Sequence, residues 1–319
     1  MKKLLIILIA LFAILPLSVA YAEKYGVYVK AVEKVEGSFE DTISSVEGAL
    51  KKNGWEVLAS NGNSVPEACD LRAHTIVIKS DEYTEAVMGH GPLSSFAVPL
   101  RVGIYEDETG LNIAFTNPAS LNRTILGDKV EAELSVNTMN SLSDILAGAV
   151  KGTAVKEQIG QLRKKGKVGG MGGGDFKNMM VEFFSGEGKT VAGITEKVKE
   201  GIEANEKGWK LVYEMALDSG NIMVLGVNEA EMEARAYRIA GEKRESKDNS
   251  CPGIDHGPAF PIEVMVYETD EAVKIITLDG MYRMKVYFED AGMWAFMKNM
   301  AMPAGIISEI EEMSISKLK

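Results

Sequence analysis

The sequence predicts an α+β protein made of two tandem copies of one unit: strand, helix, antiparallel strands, helix, with the helices covering one face of each sheet. Three observations carry that prediction. Pro99-Leu100-Arg101-Val102-Gly103-Ile104-Tyr105-Glu106 returns as Pro261-Ile262-Glu263-Val264-Met265-Val266-Tyr267-Glu268, and at the same spacing Leu111, Ile113 and Asp128 fall on Val273, Ile275 and Asp290. Gly54-Trp55 ends one amphipathic stretch and Gly208-Trp209 ends another. Between the copies, Arg163-Lys164-Lys165 leads into Gly169-Gly170-Met171-Gly172-Gly173-Gly174, the composition of a flexible boundary with a basic edge. Internal repetition sets the architecture before any motif is weighed. The chain divides into a leader, 1–22, a first domain, 23–165, a Gly-rich linker, 166–176, and a second domain, 177–319.

In the first copy, Tyr25 to Val32 alternates as a half-buried strand. Ser38 is placed to cap a helix, with Asp41 as the acid of a shortened capping box. Phe39, Ile43, Val46 and Leu50 form one apolar stripe, and Gly54 stops the helix. Trp55 to Leu58 reads as a strand, Asn61 to Pro66 as a turn-rich run, and His74 to Lys79 as the third strand. Val98 to Tyr105 and Leu111 to Phe115 form a hairpin around Asp107-Glu108-Thr109-Gly110. Met139, Leu142, Ile145, Leu146 and Ala149 mark a closing helix.

The second copy repeats the order. Met179 to Phe184 is its strand and Thr190 to Glu206 its helix, with Val191, Ile194, Val198 and Ile202 inward. Trp209 to Met215, Asn221 to Val227, and a hairpin of Phe260 to Tyr267 with Val273 to Leu278 follow. A charged loop around Gly241 to Ser250 makes this copy longer, and a helix-rich tail runs from Met293 to Leu318.

The first residues read as an export signal. Lys2-Lys3 precede an apolar run from Leu4 to Leu15, Pro16 breaks it, and Ala20-Tyr21-Ala22 supplies a small-x-small cleavage site before Glu23. The competing reading is a retained anchor, for which Leu4 to Ala20 is short. Export to a periplasmic or extracellular compartment is therefore expected, with no membrane span after cleavage. The net charge of −11 deepens once Lys2 and Lys3 are removed, so the chain lacks the electrostatic footprint for nucleic acid or anionic lipid. Two cysteines are too few for a disulfide scaffold. Cys69 and Cys251 lie one in each copy and do not align within the repeat. Compartment and even count permit a bridge, and the misalignment leaves two reduced thiols as the alternative.

Gly-Trp after a helix, the Pro-Leu-Arg-Val-x-x-Tyr-Glu strand, and a hairpin ending in Phe115-Thr116-Asn117-Pro118 resemble the DUF302 family of bacteria and archaea. The resemblance spans most of the first copy, and in the second it rests on the hairpin and the element order. It implies a fold similar to half of the TATA-binding protein, present in tandem, and no established reaction. Members often carry cysteine after the hairpin proline, where this chain has Leu100 and Ile262. They often carry Cys-Asn-Pro after the third strand, where it has Lys79-Ser80-Asp81. Thiol chemistry is not carried over.

Ser185-Gly186-Glu187-Gly188-Lys189-Thr190 imitates a phosphate loop, but Phe183 stands where the first glycine belongs, so it reads as a strand-to-helix turn. His90-Gly91-Pro92 and His256-Gly257-Pro258 each precede the hairpin strand. Histidine binds metals and shuttles protons, but a site needs converging ligands, so both are read first as turn-shaping residues. Met293, Met297 and Met300 fall at helical spacing beside Trp294 and Phe296, which reads as a soft core stripe. The competing reading gives His90, His256, Met293, Met297 and Met300 to copper, because thioethers favour the cuprous ion. His90, His256, Arg101, Tyr105 and Tyr267 are the binding candidates. No Gly-x-Ser-x-Gly elbow or His-Glu-x-x-His helix is present, and no catalytic residue or cofactor is predicted. The expected function is an exported, non-catalytic protein that binds a small molecule or a periplasmic protein. Periplasmic copper handling is the alternative.

Overall fold

Alternation, capping and turn residues place the elements of the first copy close to where the sequence puts them. The computed structural model describes residues 23–241, 251 and 253–318; the leader 1–22 and the charged loop 242–250 lie outside the described residues, as do Pro252 and Lys319. Strand β1 (Tyr28–Glu33) leads to α1 (Phe39–Lys52), where the Ser38 hydroxyl accepts the Asp41 N–H and Phe39, Val46 and Leu50 are buried. Next come β2 (Glu56–Gly62) and β3 (Ala73–Lys79). Asn61 and Gly62, read above as turn, stay in the ladder because they pair with Thr75 and His74. Helix α2 (Asp81–Met88) and a 3-10 turn, Pro92–Ala97, precede the hairpin of β4 (Leu100–Asp107) and β5 (Gly110–Thr116). Helices α3 (Pro118–Ile125) and α4 (Ala132–Ala149) and a final strand, β6 (Thr153–Ile159), complete this half.

The second half runs β7 (Met180–Gly186), α5 (Val191–Ala204), β8 (Lys210–Leu217), β9 (Ile222–Asn228) and α6 (Ala230–Gly241). A 3-10 turn, Ile254–Ala259, precedes β10 (Ile262–Glu268) and β11 (Val273–Leu278). Helices α7 (Gly280–Phe288), α8 (Met293–Lys298) and α9 (Ala301–Ile315) follow. The imitation phosphate loop is the turn between β7 and α5, with the Thr190 hydroxyl accepting the Gly193 N–H as an N-cap.

Every strand pairing is antiparallel. The first sheet has the order β2-β3-β4-β5-β1-β6 and the second β7-β11-β10-β9-β8. Equivalent strands hold equivalent places, and β6 is an addition at the β1 edge of the first sheet. Caps repeat as well: Asn117 caps α3 and Asp279 caps α7 at matching positions after the hairpins. Among the described residues no helix is long and apolar enough to cross a membrane.

Central strands β4 and β10 are buried over most of their length on both faces. Leu100, Val102 and Ile104 belong to the apolar core with Val46 and Leu50 of α1. The opposite face of β4, bearing Arg101, Gly103 and Tyr105, turns to the other half. There Pro258 lies so close to Gly103 that a Cβ would sit 2.7 Å from its ring, which explains why a glycine occupies the middle of a core strand. The contact has a counterpart: the Ser95 hydroxyl, in the first 3-10 turn, reaches the Met265 sulfur of β10 at 2.8 Å. The two sheets thus meet through their open faces, each half inserting its 3-10 turn against the other.

The Gly-rich run is tied down rather than free. The Gly166 N–H donates to Asp128 (2.6 Å), buried Val168 bridges Gly174, and the Lys285 ammonium donates to the Gly169 carbonyl.

Candidate functional site

The structure separates the residues that the sequence nominated. Arg101 is buried and pairs with Glu263, its equivalent in the repeat. Its guanidinium also donates to the Tyr287 hydroxyl at 3.3 Å and lies 5.7 Å from that ring. Arg283, 5.0 Å from the same ring, donates to the carbonyls of Ala259 and Pro261; burial pushes its pKa down to about 10. Tyr105 is buried beside Cys69 and Cys251, whose Cα atoms are 5.7 Å apart and whose sulfurs are bonded across the two halves. Tyr267 is half-buried at the end of β10.

The two histidines occupy unlike settings. His90, partly exposed, has Nε2 2.9 Å from Glu131. His256 is buried inside the 3-10 turn, with Nδ1 2.8 Å from Asp255 and Nε2 3.0 Å from Asp290. Its ring stacks on Phe288 at 5.4 Å and meets Tyr28 edge-on at 5.5 Å. Burial alone would lower its pKa, but the two carboxylates outweigh it and push the value up to about 9. An imidazolium held this way donates from both nitrogens and has no lone pair for a metal. A second polar knot is Glu233, also buried. It accepts from the side chains of Asn63 (2.6 Å), Asn228 (2.7 Å) and Tyr237 (2.8 Å) and from the Ser64 N–H (2.9 Å), so donors of both halves converge on one carboxylate. These networks lie where the two halves meet and help to fix one on the other.

The exposed chemistry lies elsewhere. Met293, Met297 and Met300 do not form a core stripe: they are 69%, 52% and 42% exposed, with Trp294 at 71%. Only Ala295 of α8 is buried, because this six-residue helix touches the body through its other side. Met171, from the Gly-rich run, is 75% exposed. Met171, Met281, Met293 and Met300 line one open groove of about 160 Å³ together with Phe296. Lys285 and Glu289 lie at its wall, their charges 3.7 Å apart, and the Arg163 guanidinium also holds Glu289 at 2.7 Å. Met297 is exposed on α8 but does not line the groove. Met302 lines a separate apolar cavity of about 50 Å³ among residues of α6, α7 and α9. Helical spacing finds the α8 methionines; nothing local to the sequence joins Met171 and Met281 to them. Among the described residues no three His, Cys, Asp or Glu side chains come together as a metal-binding group.

No protein-family description matches the chain, and no curated protein matches it. Among solved structures it is similar to an uncharacterized conserved DUF302 protein from Bacillus stearothermophilus, with 18% identity, 39% of this chain and 96% of that chain covered, and a TM-score of 0.33. A weaker likeness is to the di-domain ARO/CYC StfQ from the steffimycin biosynthetic pathway, with 9% identity, 92% and 97% of the two chains covered, and a TM-score of 0.17.

Proposed function

We propose that this chain is an exported, non-catalytic binding protein composed of two tandem DUF302-like domains, and that it binds through the methionine-rich surface around α8. The identical order of equivalent strands and the matching caps support the tandem reading. The observation that carries the binding reading is the exposure of Met171 and Met293 in an open groove, with Trp294 and Met297 exposed on the same short helix. Large apolar side chains gathered on a surface cost solvation free energy and mark interaction sites. Methionine adds a flexible, polarizable side chain that adapts to what it binds. The burial of Arg101, His256 and Glu233, each paired within the protein, favours a structural role for these networks.

The test is native mass spectrometry of untagged protein taken from its own host. The expected result is a chain beginning at Glu23 that carries an added mass, and loss of that mass in the doubly substituted Met293→Ser/Trp294→Ser protein. A bare chain, or an added mass indifferent to the substitutions, rejects the reading.

A further inference from the structure

We propose that Met171, Met281, Met293 and Met300 form a binding site for a cuprous ion. The inference rests on the reading of this surface as the binding face and names its ligand. Four methionines from three separate segments line one groove: Met171 of the Gly-rich run, Met281 of α7, and Met293 and Met300 of the α8 region. The composition of the lining is selective. Its apolar side chains are four methionines and Phe296, with no leucine, isoleucine or valine, whereas the neighbouring apolar cavity mixes Met232, Met284 and Met302 with Ile239, Ile262, Ile306 and Ile307. A surface that needed only apolar area would be served equally by branched aliphatics. One that needs sulfur is not.

Thioether sulfur is a soft, neutral donor and selects a soft monovalent cation over hard divalent ions. Glu289, the carboxylate at the wall, is held by Lys285 and Arg163, so it is not free to recruit a hard cation. Methionine loses no proton on binding a metal, so the site needs no deprotonation and its affinity should hold across the pH range where the protein is folded. Exposure of three of the four side chains leaves an entry path and room for an incoming chelate. Neither histidine takes part: His256 is sealed between Asp255 and Asp290, and His90 faces Glu131.

The experiment is an anaerobic titration with cuprous ion supplied as its acetonitrile complex, in competition with the chromophoric chelator bicinchoninate and without thiol reductant, so that the disulfide stays closed. The full mature protein is expected to withdraw one equivalent, with a change in the emission of Trp294, the exposed tryptophan beside Met293. Met293→Leu/Met300→Leu, which preserves side-chain volume, should weaken binding by at least about tenfold per ligand removed. Met171→Leu, at a position 75% exposed and so without effect on folding, should weaken it in the same direction. Failure of the wild-type protein to compete with the chelator overturns the proposal. So does unchanged binding in both leucine variants. If cuprous ion does not bind, yet the host-derived protein carries another species lost in Met293→Ser/Trp294→Ser, this inference alone fails and the binding surface stands.

Discussion

Arg101 and Glu263 hold the same position in the two copies of the repeated strand, and they are paired with each other. Residues meet their own equivalents only close to an approximate twofold axis, as in an isologous interface. Two identical copies would set like against like at that point. Joining the copies in one chain allows them to differ, and here the difference is an arginine facing a glutamate. Met265 in place of Gly103 follows the same logic, for Gly103 must admit Pro258 while Met265 receives Ser95.

Breaking this pair should be costly. Arg101→Met leaves Glu263 charged, buried and unpaired, and Glu263→Met does the same to Arg101; each is expected to cost about 3–5 kcal/mol in urea unfolding. The double variant removes both charges and should recover most of the loss, because a buried ion pair is worth little more than well-packed apolar groups. Additive losses in the double variant would show that the two side chains act independently.

The His256 network predicts how stability changes with pH. Its imidazole is held at about 9 in the fold, against an ordinary ~6.5 when unfolded. The contribution is therefore complete below about pH 6.5 and is lost as the pH rises through about 9. The shift corresponds to roughly 3 kcal/mol. Urea unfolding at pH 6 and pH 9.5 should show the wild type losing stability on that order, with His256→Gln losing much less over the same interval. An NMR titration of the imidazole that ends near pH 6.5 would contradict the network.

The Cys69–Cys251 bond spans 182 residues and ties one half to the other. Alkylation of the unfolded, unreduced protein should add no label, and prior reduction should expose two sites. In the chain-entropy model a loop of that length is worth ~4–5 kcal/mol. Cys69→Ser/Cys251→Ser should unfold at lower urea, with the gap closing when the wild type is compared under reducing conditions. Two labels without reduction would mean that no bond forms.

Much of the fold was legible in local patterns. Ser38 and Thr190 cap the first helix of each half, and the alternating hairpin strands lie within a residue or two of the expected positions. The helices α2, α3, α6 and α7 escaped. α3 buries polar Ser120 and Asn122, and α7 buries Arg283 and Lys285, so their apolar stripes are interrupted. Strand β6 escaped because Thr153–Ile159 is largely exposed and lacks alternation. Its place is decided by pairing with β1.

The repeated strand-helix-hairpin frame and the capped helices were legible in the sequence, because capping, periodicity and duplication are written in neighbouring residues. The inward faces of α1 and α5 were readable from spacing, whereas the direction of the α8 stripe depended on packing against the rest of the chain. Helical spacing put Met293 and Met297 on a common stripe, but a stripe does not say which way it faces. Packing of α8 through Ala295 turned it to solvent, and chain folding brought Met171 and Met281 beside it. Likewise, a charge on an open sheet face is tolerable only where a second sheet supplies its partner, as Glu263 does for Arg101.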